Sequence, residues 1–406
     1  MTSGGPDPAG AANRIVTGAL SQTWGDLEPL DLPAAAAVMV GDNLEAVRAV
    51  STALRRGDGE LLIASRSRMT PELVDDLRAS GLAVVDGDTV LPATAERPLS
   101  PGRIWLLTSG STGRPKRVAH TLGSLTTVGG QQPPRTWLCP YAHGAYAWWQ
   151  LVTLGLTQPE QHILFVEPSE LDTWPAQALA ADVTAASGTP TFWRQALYRD
   201  PESVAALPLE QVTLGGEPVD QAILTRLTEM FPQARVSWIY ASSEAGATIA
   251  VHDGRAGFPQ DWLDREAPER ATLSVEDSEL IIGSPKRAEG IDARLRTGDR
   301  VDIADGRVVI TGRIASDEIN VGGAKVSASA VRDVLQAHPS VAWASVRGRK
   351  APIVGNIVTA EVVLDGPATD SDLTQWCAER LPDYSVPRRI RFLDTIPIKE
   401  TLKSDV

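Results

Sequence analysis

A run of glycine, hydroxyl and basic residues directly follows an apolar segment, and its residue types suit phosphate binding. Glycines let the backbone turn so that successive N–H groups point into one concavity, hydroxyls add donors, and a final lysine supplies a full positive charge. The spacing does not fit the Walker A pattern, and a Gly/Ser linker rarely lies between an apolar strand and a Pro-Lys pair. The pattern predicts a phosphate-binding loop made of these residues: Leu107, Thr108, Ser109, Gly110, Ser111, Thr112, Gly113, Arg114, Pro115 and Lys116.

Several further motifs follow this loop in order along the chain. Most of them combine glycine with acidic or basic residues, and several stand directly after an apolar strand pattern. Their positions are 214–218 (LGGEP), 239–246 (IYASSEAG), 296–299 (RTGD), 311–313 (TGR), 319–326 (INVGGAKV) and 396–403 (IPIKETLK). Over residues 104–403 the series resembles the adenylate-forming superfamily, which includes acyl-CoA synthetases, aryl-acid ligases and nonribosomal-peptide adenylation domains.

This resemblance implies an ATP-dependent reaction of a carboxylic acid. In the family a carboxylate attacks the α-phosphorus of ATP, pyrophosphate leaves and an acyl-adenylate remains, so charge must be stabilised at the phosphates throughout. The residues from Ser109 to Lys116 would cover the β- and γ-phosphates, with Lys116 in a catalytic role. Glu244 matches the family's acidic ligand of Mg²⁺, with Thr108 as a second oxygen donor, because this hard cation prefers carboxylate and phosphate oxygens.

The resemblance also implies which residues hold the nucleoside. Asp299 would accept both ribose hydroxyls with its two oxygens, and Arg313 would reach ribose or phosphate with its guanidinium fork. Tyr240 either stacks on the base or is a buried core tyrosine. Asp299 as a turn residue, and Glu244 as a solvated loop carboxylate, are the alternatives. The remaining nucleotide contacts are assigned to Gly215, Gly216, Glu217, Ala241, Ser242 and Ser243.

Lys403 is the candidate for the family lysine that reaches the α-phosphate and the nascent acyl-adenylate oxygen. It matches the family spacing when counted from Ile396-Pro397. The match departs from the family in two ways, since Leu402 stands where a glycine is usual and the usual arginine after the lysine is missing. Lys399 therefore competes for the role, and an ordinary tail lysine is a third interpretation.

In this family the small C-terminal domain rotates between two half-reactions, presenting first the lysine and then a channel for a thiol acceptor. The resemblance thus implies coenzyme A or a phosphopantetheine arm, the latter on an acyl carrier protein, as the acceptor. The hinge segment 312–319 is longer than usual, and Asp317 or Ala315 is the expected pivot. Gly322-Gly323 would let a pantetheine arm pass close to the backbone.

The acid pocket of the family corresponds to 140–149 and 186–190, together with Gly215, Ala241 and Ser242. Its aromatic residues and His143, which matches a pocket-edge histidine, favour a small or aryl acid, and His143 is assigned a catalytic role. A structural histidine is the alternative. Trp148-Trp149 is better explained as helix core, because adjacent helical residues do not face one pocket. No Phe-Asp pair of the kind that grips an α-amino group occurs, so an α-amino acid is disfavoured.

Two alternative functions stay open. One branch of the superfamily adenylates nitrite and passes it to an aryl amine, giving a diazo product. The unusual pocket segment and an arginine-for-lysine bias, typical of a high-GC genome with secondary metabolism, keep this diazotase-like alternative open. The other alternative is a non-catalytic nucleotide-binding homologue, which the joint retention of Glu244, Asp299, Arg313 and Lys403 disfavours.

The acidic composition argues against a nucleic-acid partner. The net charge is −13 and no local basic cluster stands out, while 43% hydrophobic and 22% charged residues are ordinary for a folded soluble protein. The two cysteines, Cys139 and Cys377, match no metal spacing and favour a reducing, cytoplasmic setting. No signal peptide or long apolar span is apparent, so no membrane association is expected.

Short apolar strands alternate with helical patterns, which predicts an α/β fold. We expect a large N-terminal domain with mostly parallel, covered sheets and a small mobile α+β C-terminal domain that carries the catalytic lysine. The predicted bounds are a disordered tail at 1–14, an ATP- and acid-binding adenylation domain at 15–313 and the mobile domain at 314–406. The part before the phosphate loop is shorter than in the family, which leaves a homodimer open as a way to complete the pocket.

Overall fold

Strands and helices alternate along most of the chain, as the apolar pattern predicts. The computed structural model describes residues 9–18, 20–108, 115–265, 269–314, 317–351, 355–399 and 401–404. The first strands are β1 (Arg14–Thr17), β2 (Leu20–Thr23), β3 (Ala35–Val40), β4 (Glu60–Ser65), β5 (Ala83–Asp86), β6 (Thr89–Leu91), β7 (Arg103–Thr108) and β8 (Lys116–Thr121). The next are β9 (Arg135–Cys139), β10 (Gln161–Phe165), β11 (Ala185–Gly188), β12 (Gln211–Gly215), β13 (Arg235–Ser242), β14 (Gly246–Val251), β15 (Phe258–Pro259) and β16 (Thr272–Glu276).

The last strands are β17 (Glu279–Gly283), β18 (Leu295–Ala304), β19 (Arg307–Arg313), β20 (Glu318–Val321), β21 (Ala324–Ser327), β22 (Val341–Ala351), β23 (Gly355–Leu364) and β24 (Arg389–Phe392). The α-helices are α1 (Asn43–Arg56), α2 (Pro71–Ala79), α3 (Leu122–Leu125), α4 (Tyr146–Thr157), α5 (Trp174–Ala180), α6 (Pro190–Arg199), α7 (Pro201–Ala205), α8 (Gln221–Met230), α9 (Ala328–Gln336) and α10 (Asp370–Ala378).

An eight-stranded sheet forms the centre of the large domain, in the order β14-β13-β12-β11-β9-β10-β1-β2. Its neighbours run parallel except at the two edges, where β14 and β2 are antiparallel to their partners. Helices α4, α6 and α8 pack against it. β11 is buried throughout and β12 nearly so, as expected of a parallel sheet covered by helices.

Asn13 and Arg14, at the end of the disordered tail predicted for 1–14, are ordered against this sheet; residues 1–8 lie outside the described residues, and the prediction for them stays a prediction. The Asn13 side chain is buried and donates to the carbonyl oxygens of Gly155 at 2.8 Å and Gln158 at 2.6 Å. Its own oxygen accepts from the N–H of Gln161 at 3.1 Å, and β1 pairs with β10 from Ile15 onward. One amide side chain thus satisfies three backbone groups, an arrangement that has no signature in apolar periodicity.

The large domain contains a second sheet, of six strands, in the order β6-β5-β3-β4-β7-β8. Its central strands are parallel, and β6 and β8 are antiparallel edges. The apolar pattern predicts β3, α1, β4, α2, β5 and β7. It does not predict β8, because Lys116–Thr121 is half polar; this strand is stabilised by antiparallel pairing with β7.

Two smaller sheets complete the fold. The five-stranded antiparallel sheet β15-β19-β18-β17-β16 places Asp299 and Arg313 opposite each other on neighbouring strands. The C-terminal sheet contains β20 to β24, and Val331, Leu335 and Leu373 from α9 and α10 help to form its own hydrophobic core. The expected α/β fold with a large N-terminal and a small C-terminal domain is confirmed. The exact boundary between residues 313 and 314 stays a prediction.

One end of the C-terminal sheet is exposed and basic, which corrects the expectation that no basic cluster stands out. One short basic run contains Arg347 and Arg349 on β22, and the other contains Arg389 and Arg391 on β24. Both strands pair with β23, which brings the two runs together. Each run is short, so neither stands out in the sequence of a chain with a net charge of −13. Glu361 pairs with two of these arginines, whereas Arg349 and Arg389 have no ion pair within the described residues. The charged residues that line the groove are five arginines and two carboxylates: Arg347, Arg349, Arg388, Arg389, Arg391, Glu361 and Asp370.

Candidate active site

The predicted phosphate loop joins β7 to β8, an antiparallel pair in which Thr108 is opposite Lys116. The structure therefore defines the two ends of the loop. Thr108 is half-buried, and Lys116 is exposed and has no ion pair in the part of the chain that the structure describes. A lysine amine without a protein partner is available to a phosphate. The roles of Ser109, Gly110, Ser111, Thr112 and Gly113 stay predictions, because these residues lie outside the described ranges.

The turn that carries Glu244 is tied to β8 by a buried histidine. His120 is fully buried, its Nε2 donates to the carbonyl oxygen of Ser243 at 2.7 Å, and its Nδ1 lies 2.9 Å from the Ser124 hydroxyl. Burial lowers the pKa of His120, so the imidazole is neutral near pH 7. The carbonyl of Glu244 also accepts from the N–H of Ala288 at 2.8 Å. The strand that follows the phosphate loop thus positions the Glu244 turn.

The Glu244 carboxylate has the properties of a ligand for Mg²⁺. It is half-buried and has no hydrogen bond or ion pair among the described residues. No group of three or more acidic, histidine or cysteine side chains that could hold a metal occurs within the described ranges. This donor set fits Mg²⁺, which proteins usually bind through one or two carboxylates together with substrate phosphates and water. Glu244 and Thr108 would hold the ion against the phosphates.

The predicted ribose carboxylate, Asp299, is buried and bonded on both of its oxygens. The Tyr240 hydroxyl donates to Oδ2, and Arg313 Nε lies 2.9 Å from Oδ1. Burial raises the pKa of Asp299 above its ordinary value, although the bond from Tyr240 and the charge of Arg313 act in the opposite direction. Each carboxylate oxygen keeps a second acceptor position, so two ribose hydroxyls remain acceptable ligands. Base stacking by Tyr240 stays a prediction.

The backbone around Asp299 is held by the preceding turn. Gly298 has a φ of 73°, which favours glycine, and its N–H donates to Glu279 Oε1 at 2.9 Å. The Thr297 hydroxyl donates to the carbonyl of Leu280 and accepts from the N–H of Asp299 at 3.1 Å. These bonds orient Asp299 before any nucleotide binds.

Lys403 lies over Gly216, the second glycine of the LGGEP motif. A Cβ atom at Gly216 would stand 3.5 Å from Lys403 Cε and 3.9 Å from Nζ. The residue keeps contact with solvent, but crowding of its amine by the large domain and the charge of Arg313 lower the pKa of Lys403, against the opposing charge of Glu217. Lys399 lies at the other end of the same turn, where its N–H donates to the Lys403 carbonyl at 3.0 Å. The structure thus brings Lys403 to the predicted nucleotide site.

His143 lies in a closed polar network. It is 4% exposed, and its Nδ1 lies 3.2 Å from the Ser65 hydroxyl while Nε2 lies 3.2 Å from Glu167 Oε2. Burial alone would raise the pKa of Glu167, but bonds from His143 and Asn43 hold it below its ordinary value. Both histidine nitrogens therefore have protein partners, as in a structural histidine. The catalytic role of His143 stays a prediction.

The aromatic residues of the predicted acid pocket have mixed positions. Trp148 and Trp149 are fully buried in the large-domain core, as their adjacency on α4 indicates. The Tyr141 hydroxyl lies 2.8 Å from that of Ser187, which joins the two predicted pocket segments. Ala241, Ser242 and Ser243 are half-buried, and the Ser242 hydroxyl accepts from Ala245 N at 2.9 Å.

The hinge segment is bonded to the start of the small domain. Asp317 accepts from the Ser327 hydroxyl at 2.7 Å and from the N–H of Ser329 at 2.7 Å, where α9 begins. Gly312 has a φ of 141°, and a Cβ there would lie 2.6 Å from Asp317 Cγ. Ala315 lies outside the described residues, so the identity of the pivot stays a prediction. Gly322-Gly323 forms an exposed turn with positive φ at both residues.

A predicted nucleotide site at which a large α/β domain meets a lysine of a small C-terminal domain is the arrangement expected of the adenylate-forming class. Comparison with known families identifies the chain more closely: it belongs to the AMP-binding enzyme family. The model of that family matches residues 35–288, and the model of the AMP-binding enzyme C-terminal domain matches residues 331–403.

Relatives with known activities include two CoA ligases. The chain is 28% identical to a 4-chlorobenzoate–CoA ligase of an Arthrobacter species over 364 residues, which cover 79% of this chain and 67% of the relative. It is 26% identical to a 2-succinylbenzoate–CoA ligase of Bacillus licheniformis over 326 residues, which cover 72% of this chain and 66% of the relative. The chain thus spans about two thirds of the length of these relatives.

Solved structures of low sequence identity share the fold. An anthranilate CoA ligase, AuaEII, in complex with anthranoyl-AMP matches with a TM-score of 0.75 at 17% identity, covering 97% of this chain and 93% of the other. The amide bond synthetase McbA from Marinactinospora thermotolerans matches with a TM-score of 0.72 at 20% identity, covering 98% and 96%. Among the described helices, none has the length and apolar character needed to span a membrane.

Sequence reasoning missed His120 and Thr191, and it assigned Thr189 to the acid pocket and not to the contact that the structure shows. His120 supports the Glu244 turn, whereas Thr189 and Thr191 bond to the segment around Lys403. Their partners lie far away in sequence, so no local spacing reveals them. The one available signal is the Thr-Pro pair at 189–190, which is typical of a helix start and therefore predicts a cap rather than a contact.

Proposed function

We propose that this chain is an AMP-forming ligase that activates an aryl or small carboxylic acid and transfers it to coenzyme A. The position of Lys403 over Gly216, close to Arg313 and its partner Asp299, carries the proposal. The contact of Lys403 with Gly216, the influence of Arg313 on Lys403 and the Asp299–Arg313 ion pair support this proposal. The names of the relatives, which act on 4-chlorobenzoate and 2-succinylbenzoate, favour an aryl acid.

In the first half-reaction, a carboxylate oxygen of the acid would bond to the α-phosphorus of ATP as the bond to pyrophosphate breaks. Negative charge then grows on the leaving phosphates and on the α-phosphate oxygens. Lys403 would donate hydrogen bonds at the α-phosphate, Lys116 would stabilise the departing phosphates, and Asp299 would orient the ribose. Mg²⁺ held by Glu244 and Thr108 would add positive charge at the phosphates.

In the second half-reaction, the thiolate of the acceptor would attack the acyl carbon, and AMP would leave with the electron pair of the acyl–oxygen bond. The exposed basic groove of the small domain favours an acceptor that carries phosphates, such as coenzyme A. Arg349 and Arg389 have no ion pair within the described residues and are free to bind anions there.

Pyrophosphate release with a panel of acids tests the proposed activity. The panel contains substituted benzoates, short and long aliphatic acids, β-amino acids, and nitrite with aryl amines, each with and without coenzyme A. We expect release with at least one benzoate, and AMP release that depends on coenzyme A. Release with nitrite alone would support the diazotase-like alternative, and adenylation without coenzyme A turnover would indicate a carrier-protein or amine acceptor. No release with any compound would contradict the proposal.

A charge reversal in the basic groove tests the acceptor. Arg389→Glu should raise the KM for coenzyme A about 3- to 10-fold, because surface charge contacts contribute roughly 0.2–1 kcal/mol and the reversal adds repulsion. The KM values for ATP and the acid should not change. Arg270→Glu, at an exposed position outside the groove, is the matched control. An unchanged KM for coenzyme A in Arg389→Glu would show that the groove does not bind coenzyme A.

A further inference from the structure

The peptide groups on both sides of Lys403 are bonded to the large domain. The Thr189 hydroxyl donates to the carbonyl oxygen of Leu402, and Glu217 Oε1 accepts from the N–H of Ser404 at 3.1 Å. The Thr191 hydroxyl also lies 3.2 Å from that of Ser404. The lysine backbone is therefore held from two directions, independently of any contact made by its side chain.

Glu217 is itself fixed at the start of α6. Its second oxygen, Oε2, accepts from the N–H of Thr191 at 3.0 Å, while the Thr189 hydroxyl accepts from the N–H of Phe192 at 3.0 Å. The free N–H groups at a helix N-terminus favour a carboxylate at this place. Helix α6, Glu217 and the segment around Lys403 thus form one hydrogen-bonded unit across the two domains.

Leu402 supplies an apolar anchor for the same unit. It is 1% exposed and packs in the hydrophobic core of the large domain, not in that of the small domain. Its φ is 61°, a left-handed conformation that is strained for leucine and natural for glycine. Burial of the side chain must therefore offset a backbone conformation that leucine disfavours. The resembled family usually has a glycine at this position. A glycine would avoid the backbone strain but would have no side chain to bury in the large domain.

We propose that Thr189, Glu217 and Leu402 are positioning residues that clamp Lys403 on the large domain, and that Leu402 favours the adenylate-forming arrangement so strongly that undocking limits the thiol half-reaction. This inference rests on the proposed function for its kinetic part. Its structural part is that the C-terminal segment docks on the large domain through Leu402, and this docking does not depend on any substrate.

Hydrogen exchange of the full-length protein without substrates tests the structural part. Leu402→Ala should raise the exchange rate of the segment 396–404 at least tenfold, because removal of a buried leucine side chain weakens docking and leaves the strained φ in place. Leu402→Gly should also accelerate exchange, since the anchor is lost. Thr401→Ala, which alters an exposed residue of the same turn, should leave exchange unchanged and is the control.

Separate half-reactions test the kinetic part, with the best acid from the panel. In Leu402→Ala and Leu402→Gly, acid-dependent pyrophosphate exchange should fall tenfold or more, whereas conversion of preformed acyl-adenylate with coenzyme A should be faster than in the wild type. An unchanged rate of that conversion would overturn the claim that undocking limits it. A variant that fails to fold would slow both reactions and would lose exchange protection throughout the chain. Equal losses in both reactions with intact folding would overturn the inference.

Glu217→Gln tests the clamp from the other side. The amide keeps the shape but has one acceptor oxygen, so either Thr191 or Ser404 loses its acceptor. We expect a lower kcat for adenylation with a nearly unchanged KM for ATP, and faster exchange of the segment 396–404. A raised KM with unchanged exchange would assign Glu217 to nucleotide binding instead. If no acid supports adenylation, the proposed function fails, and the exchange experiments still decide whether the clamp exists.

Discussion

The predicted ribose side and the predicted phosphate side of the site differ in how far the protein satisfies its own charged groups. On the predicted ribose side, both oxygens of Asp299 are bonded to protein. The peptide groups around Lys403, whose side chain is assigned to the neighbouring α-phosphate, are likewise bonded to the large domain. On the phosphate side, Lys116 and Glu244 have no ion pair within the described residues. One side is thus arranged before substrate arrives, whereas the other has charges available for the phosphates and Mg²⁺. Such a division puts orientation and charge neutralisation on different residues.

The largest expected effect comes from removal of the lysine on the prearranged side. Lys403→Ala should lower adenylate formation roughly 100- to 1000-fold, the usual loss for one donor at a developing charge. Conversion of preformed acyl-adenylate with coenzyme A should remain largely intact, because that step does not use the lysine at the α-phosphate. Pyrophosphate exchange measures the first reaction and AMP release the second. Full exchange in Lys403→Ala, with loss in Lys399→Ala, would transfer the role to Lys399.

The carboxylate on the ribose side should matter for binding and not for folding. Asp299→Asn removes a charged acceptor of the ribose hydroxyls, so the Kd for ATP should rise about 10- to 100-fold. Burial raises the pKa of Asp299, so its ionised form is less stable in the folded protein and folding stability falls as pH rises through that range. The melting temperature without nucleotide at pH 7 should therefore stay equal or rise. Asp302→Asn, exposed on the same strand, is the control; a large fall in melting temperature would contradict this account.

The unpaired carboxylate on the phosphate side should affect only the metal. Glu244→Gln should raise the Mg²⁺ concentration needed for half-maximal adenylation at least about tenfold, because an amide oxygen carries no full charge. Stability without ligand should change by less than about 0.5 kcal/mol, since the carboxylate has no partner among the described residues. Titration of activity with Mg²⁺ checks the first expectation and thermal unfolding the second. Glu229→Gln, at an exposed position, should change neither.

The smallest effect concerns the histidine that supports the Glu244 turn. Burial lowers the pKa of His120, so the unfolded chain takes up a proton more readily below about pH 6.5, the ordinary histidine value. The stability linked to this group is fully present above that pH and is lost as pH falls below it. In His120→Gln the pH dependence should be shallower by up to about 1.4 kcal/mol per pH unit. Ser124→Ala keeps the titrating group, and its slope should match the wild type.

The elements that surround the site were largely predictable. Apolar runs bounded by polar residues predict β3, β4 and β12 within a few residues, and the helical spacing of apolar residues predicts α8. These strands are buried on both faces by helices, so their composition alone carries the signal. β8 and the pairing of Asn13 were not predictable, because their stability comes from partners that are distant in sequence.

The identity of the candidate residues and their order along the chain could be predicted from the sequence, but their hydrogen-bond partners could not. The motif order pointed to Asp299, Arg313 and Lys403, yet no local pattern indicates that Tyr240 bonds to Asp299 or that His143 is enclosed between Ser65 and Glu167. The basic groove was missed for the same reason. Its arginines come from separate strands and form one surface only when those strands pair.

The sequence by itself determined the α/β class, the family and the identity of the charged residues at the site, because periodicity and motif order are local properties of the chain. Only the tertiary structure decided which of those charges are already paired and which are free for substrate. It also decided how Leu402, at a position where glycine is usual, is accommodated. Hydrogen bonds and burial between residues hundreds of positions apart depend on how the two domains pack, and no local pattern records that packing.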